Sequence, residues 1–523
     1  MLVGDIVSSN ARLYPNKISI VDKNVRLTWA QFNDRVNRLA NVLLGLGLKK
    51  GDRVGLLSEN RHEYAEFFFA VAKAGLITVC LNYRLTPEQL LRIVNDSQPR
   101  AIIVEDRHVS TIETIAKNIE FVLGIGKKHG CPYDYEALLA TSSPTAPEVE
   151  LQEQDLFRLN YTTGITGTSK GVMLTHKNEI ANCIMRLQAT PNTPDDVVLT
   201  AAPLFAAGVQ CRFFGAAFLG CTFVITSFSA DNFVKMVEKE RITYGSLLPT
   251  TFRMVKEYLK QSPNQYDLSC LRKLQPEGGQ HCSGDDLKEM LDYFNIPHNM
   301  TCKPYGMTEA MPSTYLIPED VAAGLSTKAT EKEKRRVESI GKPLFNAQVR
   351  VVDENDNDLP PGQVGEIIIK GDQVMKGYWN NPERTAKALR GGWFHSSDLG
   401  EMDEEGYLYF KGRMDFVIKT GGLMVGPEEV EAVIMEHPAV VEAAVIGISD
   451  ERWGQAVTAV TCLKPGLSTT AEEIIGFCRK RLASFQVPKR VIFMEKLPRD
   501  YAYSKIDRLG LIRTCNGRLT NNK

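Results

Sequence analysis

YTTGITGTSKG, residues 161–171, is the stretch whose reading decides the fold. Thr162, Thr163 and Thr166 are interleaved with Gly164 and Gly167, and Lys170 closes a segment too polar and too permissive of turns to be core. Glycines let a backbone approach a ligand and adopt φ > 0, N–H groups and hydroxyls cradle phosphate oxygens, and a lysine adds a point charge. The pattern is that of a phosphate loop, though not the Walker one: the interval from Gly164 to Lys170 is wrong for it, and no helix-opening Lys-Ser/Thr pair follows. A Gly/Thr-rich surface turn is the competing reading of this stretch taken alone.

Residues 156–161 read as a strand leading into the loop. Upstream, apolar residues from 29 to 46 recur at Phe32, Val36, Leu39, Ala40, Leu43 and Leu44, the spacing of one helix face. A short apolar run at 54–57 precedes a helical pattern through Tyr64, Phe67, Phe68, Val71 and Ala72. Further strands are expected at 101–104, 197–200, 222–226 and 244–248, with helix-length segments between them. Such alternation predicts an α/β fold of largely parallel sheets wrapped by helices, with ligands at the carboxyl ends of strands. Residues 349–371 read instead as strand, Asp/Asn/Pro/Gly turn, strand, a β region. Beyond Gly412 an α+β pattern begins, with helices expected at 427–440 and 471–482 and a strand at 443–448.

A chain of 523 residues exceeds what one hydrophobic core usually supports. Its 62 Lys+Arg against 63 Asp+Glu give no reason to expect nucleic acid or an anionic membrane as partner. The 11 Cys contain no C-x-x-C pair and the 8 His are scattered, which points to reduced thiols in a cytoplasmic protein rather than a disulfide framework or zinc site. No signal peptide is visible at the N-terminus. The stretch 213–230 carries no charge, is interrupted by Gly215, Gly220, Thr222, Thr226, Ser227 and Ser229, and reads as a buried helix running into a buried strand, not an integral membrane segment.

Four further stretches accompany the loop in order: YGMTE at 305–309, GWFHSSDLG at 392–400, GRMDFVIKTGG at 412–422 and LPRDYAYSKI at 497–506. Together the five resemble the adenylate-forming superfamily of acyl-CoA synthetases, peptide-synthetase adenylation domains and luciferases. The resemblance implies a large N-terminal domain over 1–412, a hinge at 413–415 and a small mobile C-terminal domain over 416–523, with ATP, Mg²⁺ and CoA as cofactors and cosubstrates.

By the same resemblance, Thr162, Thr163, Gly164, Thr166, Gly167 and Lys170 handle the departing phosphates, Thr308 contacts the α-phosphate and Glu309 holds Mg²⁺. Tyr305, Gly279 and Gln280 line the adenine site, Asp398 and Arg413 reach the ribose, and Asp415 is the hinge residue. Lys505 bridges the substrate carboxylate and the α-phosphate. Gly421 and Gly422 contact the thiol arm of CoA. Departures are Ile165 for a usual Thr, Ser169 for Pro, Ala206 for His, Ser397 for Gly and Leu423 for Glu. Six residues from Asp500 to Lys505 also stand where five are usual, with Ser504 in place of Gly.

An acyl pocket is expected from Phe205, Ala206, Gly208, Gln210, Phe213 and Met307, mostly apolar or small. It favours an apolar acyl or aryl acid over an amino acid. The implied activity is ATP-dependent acyl-CoA ligation through acyl-AMP, as a monomer or a homodimer. Loading of a separate carrier protein is the alternative enzyme, and a degenerate binder of nucleotide or acyl-adenylate the alternative class.

Overall fold

The computed structural model describes residues 1–115, 119–163, 169–261, 265–277, 282–450, 452–499 and 506–520. Compactness divides the chain into two units. The first comprises Met1–Val349, Ile369–Phe394 and Gly406–Leu408, and the second Arg350–Ile368, His395–Glu405 and Tyr409–Lys523. This division is interleaved, whereas the sequence expectation places one boundary at 412. The interleaving follows strand pairing: the second unit takes in most of a four-stranded sheet ordered Ala347–Val352, Gly365–Gly371, Phe394–Met402, Leu408–Arg413.

Two helix-wrapped sheets build the first unit. An eight-stranded sheet runs Gly377–Tyr378, Ser169–Thr175, Leu156–Thr163, Ile77–Cys80, Arg53–Leu57, Ala101–Glu105, Phe121–Ile125, Tyr133–Asp134. Its pairings are parallel from Leu156–Thr163 onward, and the first two are antiparallel. A six-stranded sheet runs Lys273–Pro276, Tyr244–Leu247, Val197–Thr200, Thr222–Ile225, Ile18–Asp22, Val25–Thr28. Strands such as Ala101–Glu105 are buried at every position, as both-faces-covered parallel strands must be.

Local sequence sets the elements. Helix Trp29–Gly45 starts where the Thr28 hydroxyl accepts from Gln31 N and the Gln31 side chain reaches back, a reciprocal capping box. Helix His62–Lys73 is buried all round, because it packs against strands of both sheets and not on one face as an amphipathic stripe would. Its Phe68 and Phe69 rings meet Phe213 and Phe214 of helix Ala207–Phe218 at centroid distances of 5.2–6.0 Å, edge-on or tilted. Helix Ala207–Phe218 followed by strand Thr222–Ile225 accounts for the 213–230 stretch. Among the described residues no helix is long and apolar enough to cross a membrane.

A buried polar knot fixes the strand that leads into residues 164–168. Arg158 is 4% exposed, and its guanidinium meets Glu179 Oε2 at 2.6 Å. It also donates to Gln210 Oε1 at 2.7 Å, and the same oxygen accepts from Asn160 Nδ2 at 2.8 Å. Gln210 Nε2 in turn donates to the carbonyls of Leu204 and Phe205.

In the second unit Val440–Asp450 and Gly454–Leu463 form a long antiparallel ladder, flanked by Ile418–Thr420 and, in parallel, Arg490–Phe493. Helices Pro427–Met435 and Ala471–Arg479 pack Val430, Ile434, Ile474 and Cys478 into one core cluster. Leu511 and Cys515 of helix Arg508–Thr520 join another. Arg508 pairs with Glu431 and Glu428. Burial pushes the Glu428 carboxyl up to about 7, against the pull of Arg508.

Two stability predictions follow from these buried charges. Glu179→Leu leaves the Arg158 guanidinium buried without its carboxylate, and it should lose about 3–5 kcal/mol in urea unfolding. For Glu428, the folded state keeps its proton up to about pH 7 while an unfolded glutamate releases it near 4.5, so the folded state binds more protons across that window. Stability from this group is therefore full below the window and falls as pH rises through it. Glu428→Gln should exceed the parent protein by roughly 3 kcal/mol at pH 8 and match it below about pH 4, as read by urea unfolding at both pH values.

Candidate active site

Both ends of the decisive stretch lie in paired strands. Leu156–Thr163 and Ser169–Thr175 pair antiparallel, with Tyr161 opposite Gly171, Thr162 opposite Lys170 and Thr163 opposite Ser169. Strand pairing thus claims both ends of the segment expected as loop. Gly164, Thr166 and Gly167 lie outside the described residues. Strand Leu156–Thr163 is pinned from the side: Tyr161 Oη donates to Asp96 Oδ2 at 2.6 Å, and Trp379 Nε1 donates to the Asp96 carbonyl at 3.1 Å.

Thr308 and Glu309 form the two-residue connection between Lys303–Met307 and Ala310–Leu316, whose Met307 and Ala310 are paired. Gly306 is required there, because a Cβ would come within 2.8 Å of the Ala310 carbonyl. Tyr305, on the same strand, is 1% exposed. The Glu309 backbone carbonyl accepts from Met375 N at 2.8 Å, and its Oε1 accepts from Tyr378 Oη at 2.9 Å. The Lys170 ammonium lies 5.4 Å from the centroid of the same Tyr378 ring. The structure therefore brings Lys170 and Glu309 to Tyr378 at one edge of the eight-stranded sheet, with Thr162 paired to Lys170 and Thr308 next to Glu309.

Of the acyl-pocket residues, Phe205 is buried with its ring edge-on to Tyr83 at 5.4 Å. Ala206 caps helix Ala207–Phe218 without a side-chain bond, and Gly208 is exposed on its first turn. Met307 is half-buried. Gln210 is fully buried in the Arg158 knot, and Phe213 is enclosed by Phe68, Phe69, Phe214 and Phe223. Gly279 and Gln280 lie outside the described residues.

The second unit groups the remaining candidates. Asp398, on strand Phe394–Met402, is buried, and its Oδ1 stands 3.1 Å from Arg413 Nη1. Arg413 Nη2 lies 3.6 Å from Asp415 Oδ2. Ser397 has φ +60°, the left-handed region that favours glycine. Its N–H is satisfied by Glu366 Oε1 at 3.0 Å. Gly421 and Gly422, at φ +56° and +81°, make the two-residue turn between Ile418–Thr420 and Leu423–Val425, a conformation demanding glycine at both places. Lys505 lies outside the described residues, which on either side of 500–505 are joined by an antiparallel bridge between Arg499 and Ile506.

Sequence reasoning passed over Tyr378, Arg158 and Asn60. Asn60 Nδ2 donates to the carbonyls of Ala202 and Thr226, and its Oδ1 accepts from Leu204 N, tethering the segment ahead of Phe205. Arg158 and Asn60 carry no local signal. Tyr378 sits in GYWNNP, where two aromatics ahead of an Asn-Asn-Pro turn were the available cue.

Comparison with known proteins bears on this geometry. The AMP-binding enzyme family model matches residues 7–379 and the AMP-binding enzyme C-terminal domain model residues 429–501. A feruloyl-CoA synthase from Amycolatopsis is 33% identical over 93% of this chain and 94% of its own. A long-chain-fatty-acid–CoA ligase from Escherichia coli is 30% identical over 99% of this chain and 95% of its own. The crystal structure of ATP-bound MatB from Rhodopseudomonas palustris superposes with a TM-score of 0.85 at 28% identity, covering 99% of each chain. Both family models matched in order, with full-length relatives at this identity, mean that the chain belongs to the AMP-binding enzyme family.

Proposed function

We propose that the protein is an ATP-dependent acid–thiol ligase, AMP-forming, acting on an apolar acyl or aryl acid. The observation that carries the reading is the meeting of Lys170 and Glu309 at Tyr378, in a chain whose full-length relatives are CoA ligases. In the first half-reaction the substrate carboxylate attacks the α-phosphorus of ATP and pyrophosphate leaves. In the second, the CoA thiol, losing its proton, attacks the acyl carbonyl and AMP leaves.

The obstacle in the first step is repulsion between two anions, so the chain must neutralise charge and hold the reactants in line. Thr162, Thr163, Thr166, Lys170 and the glycines at 164 and 167 take the β- and γ-phosphates, and Thr308 takes the α-phosphate. The chemistry of Glu309 fits Mg²⁺: with one carboxylate oxygen tied by the Tyr378 hydroxyl, the other would hold the hard cation. When bound, Mg²⁺ supplies charge neutralisation on the phosphates. Asp398 and Arg413 hold the ribose, Tyr305, Gly279 and Gln280 the adenine, and Lys505 bridges carboxylate and α-phosphate. Asp415 serves as hinge between a domain over 1–412 and one over 416–523, and Gly421 and Gly422 flank the pantetheine arm.

Pyrophosphate release with ATP and Mg²⁺ over a panel of aliphatic and aromatic acids, with and without CoA, tests the activity. Acid-dependent release that yields a CoA thioester is expected; release that CoA neither accelerates nor converts to thioester would favour a carrier protein as acceptor. Lys505→Ala should lower adenylation about 100-fold or more while leaving thioester formation from supplied acyl-AMP largely intact. Equal losses in the two half-reactions would remove Lys505 from that role.

A further inference from the structure

Tyr378 belongs to none of the stretches that point to nucleotide chemistry, yet its side chain touches two of them. It is 6% exposed and lies on the short strand Gly377–Tyr378, which pairs antiparallel with Ser169–Thr175, Tyr378 opposite Val172. Neighbouring backbone bonds fasten this segment to the hairpin on either side, Lys376 N to the Met173 carbonyl at 3.0 Å and Trp379 N to the Gly171 carbonyl at 2.8 Å. The Tyr378 N–H donates to Thr385 Oγ1 at 2.9 Å. The ring therefore stands on a backbone that moves only with the hairpin itself.

From that mount its hydroxyl donates to Glu309 Oε1 at 2.9 Å, and its ring lies 5.4 Å from the Lys170 ammonium. Arg384 approaches the same ring, with Cζ at 5.5 Å. We propose that Tyr378 is the positioning residue of the adenylation site, setting the Glu309 carboxylate for its cation with the hydroxyl and parking the Lys170 ammonium with the ring face. The chemistry suits both tasks. A hydroxyl that donates to one carboxylate oxygen fixes the direction of the other, as donors behind metal ligands do. A ring face attracts an ammonium by its quadrupole, and this contact orients Lys170. One residue couples the phosphate cation to the metal carboxylate, although 208 and 69 positions separate it from them in sequence.

The inference rests on the ligase reading, and the experiment separates the two. Tyr378→Phe removes the hydroxyl and keeps the ring; Tyr378→Leu removes both. For Tyr378→Phe, the Mg²⁺ concentration giving half-maximal pyrophosphate release should rise about 10-fold, with the acid KM unchanged within about twofold. Tyr378→Leu should raise the KM for ATP as well. A second readout needs no turnover: calorimetric titration with α,β-methylene-ATP, with and without Mg²⁺. The gain in affinity that Mg²⁺ brings should shrink about 10-fold in Tyr378→Phe, while the metal-free affinity stays at the parent value. A double variant with Glu309→Gln should respond to Mg²⁺ no differently from Glu309→Gln alone, a comparison that holds even if Tyr378→Phe is less stable. An active parent whose Mg²⁺ dependence is shared by Tyr378→Phe in both readouts would overturn the role of Tyr378 alone. A parent that neither releases pyrophosphate with any acid nor binds the magnesium nucleotide would overturn the ligase reading with it.

Discussion

The contact between Arg158 and Glu179 is the constraint on which the rest of the first unit depends. Two ions removed from water are costly unless their donors and acceptors are used, and here both terminal guanidinium nitrogens and both carboxylate oxygens are drawn into one knot, with Arg158 Nε left without a hydrogen-bond partner among the described residues. Gln210 reaches it from helix Ala207–Phe218, Asn160 from the same strand as Arg158, and Asn182 donates to Glu179 Oε1 at 2.7 Å. The knot lies on the strand Leu156–Thr163, which pairs antiparallel with Ser169–Thr175, and the Tyr161–Asp96 contact holds the same strand three residues further on.

The chemistry imposes a second constraint, which is that like charges converge. Residues that answer it come from far apart in the chain because no single element can present an ammonium, a carboxylate and hydroxyls to one phosphate chain at the right angles. The hairpin gives Lys170, the tight connection after Gly306 gives Thr308 and Glu309, and the edge strand gives Tyr378. On the ligase reading, each stays fixed by backbone bonds of its own element, so that little reorganisation is left to the reacting step.

The alternating architecture was legible because periodicity and turn chemistry agree locally. Apolar spacing from Phe32 to Leu44 announces helix Trp29–Gly45, and uninterrupted apolar runs announce buried parallel strands. Helix His62–Lys73 was legible as a helix but not as one buried on every side, since that depends on a second sheet that local pattern does not reveal. In the site, motif residues such as Thr308, Glu309, Asp398 and the Gly421–Gly422 turn could be named from sequence because each requires a particular side chain or φ at a fixed place. Tyr378, Arg158 and Asn60 could not, because their value lies in partners 69, 21 and more than 140 residues away. The interleaved division of the chain was hidden for the same reason: strand pairing across long separations decides it.

The expected acyl pocket illustrates how structure reassigns residues that composition treats alike. Gln210 spends both ends of its amide inside the knot, so it has no donor or acceptor left to read a substrate. Phe213 is enclosed by four other rings, so enlarging or shrinking it would disturb the core before it altered a pocket wall. On the ligase reading, selection among acids then falls to Phe205, Ala206, Gly208 and Met307. The first three of these belong to the segment that Asn60 tethers and the helix start that follows it. Ala206 places only a methyl group at this end and Gly208 none, and on the ligase reading a pocket of that kind discriminates by shape and by apolar contact.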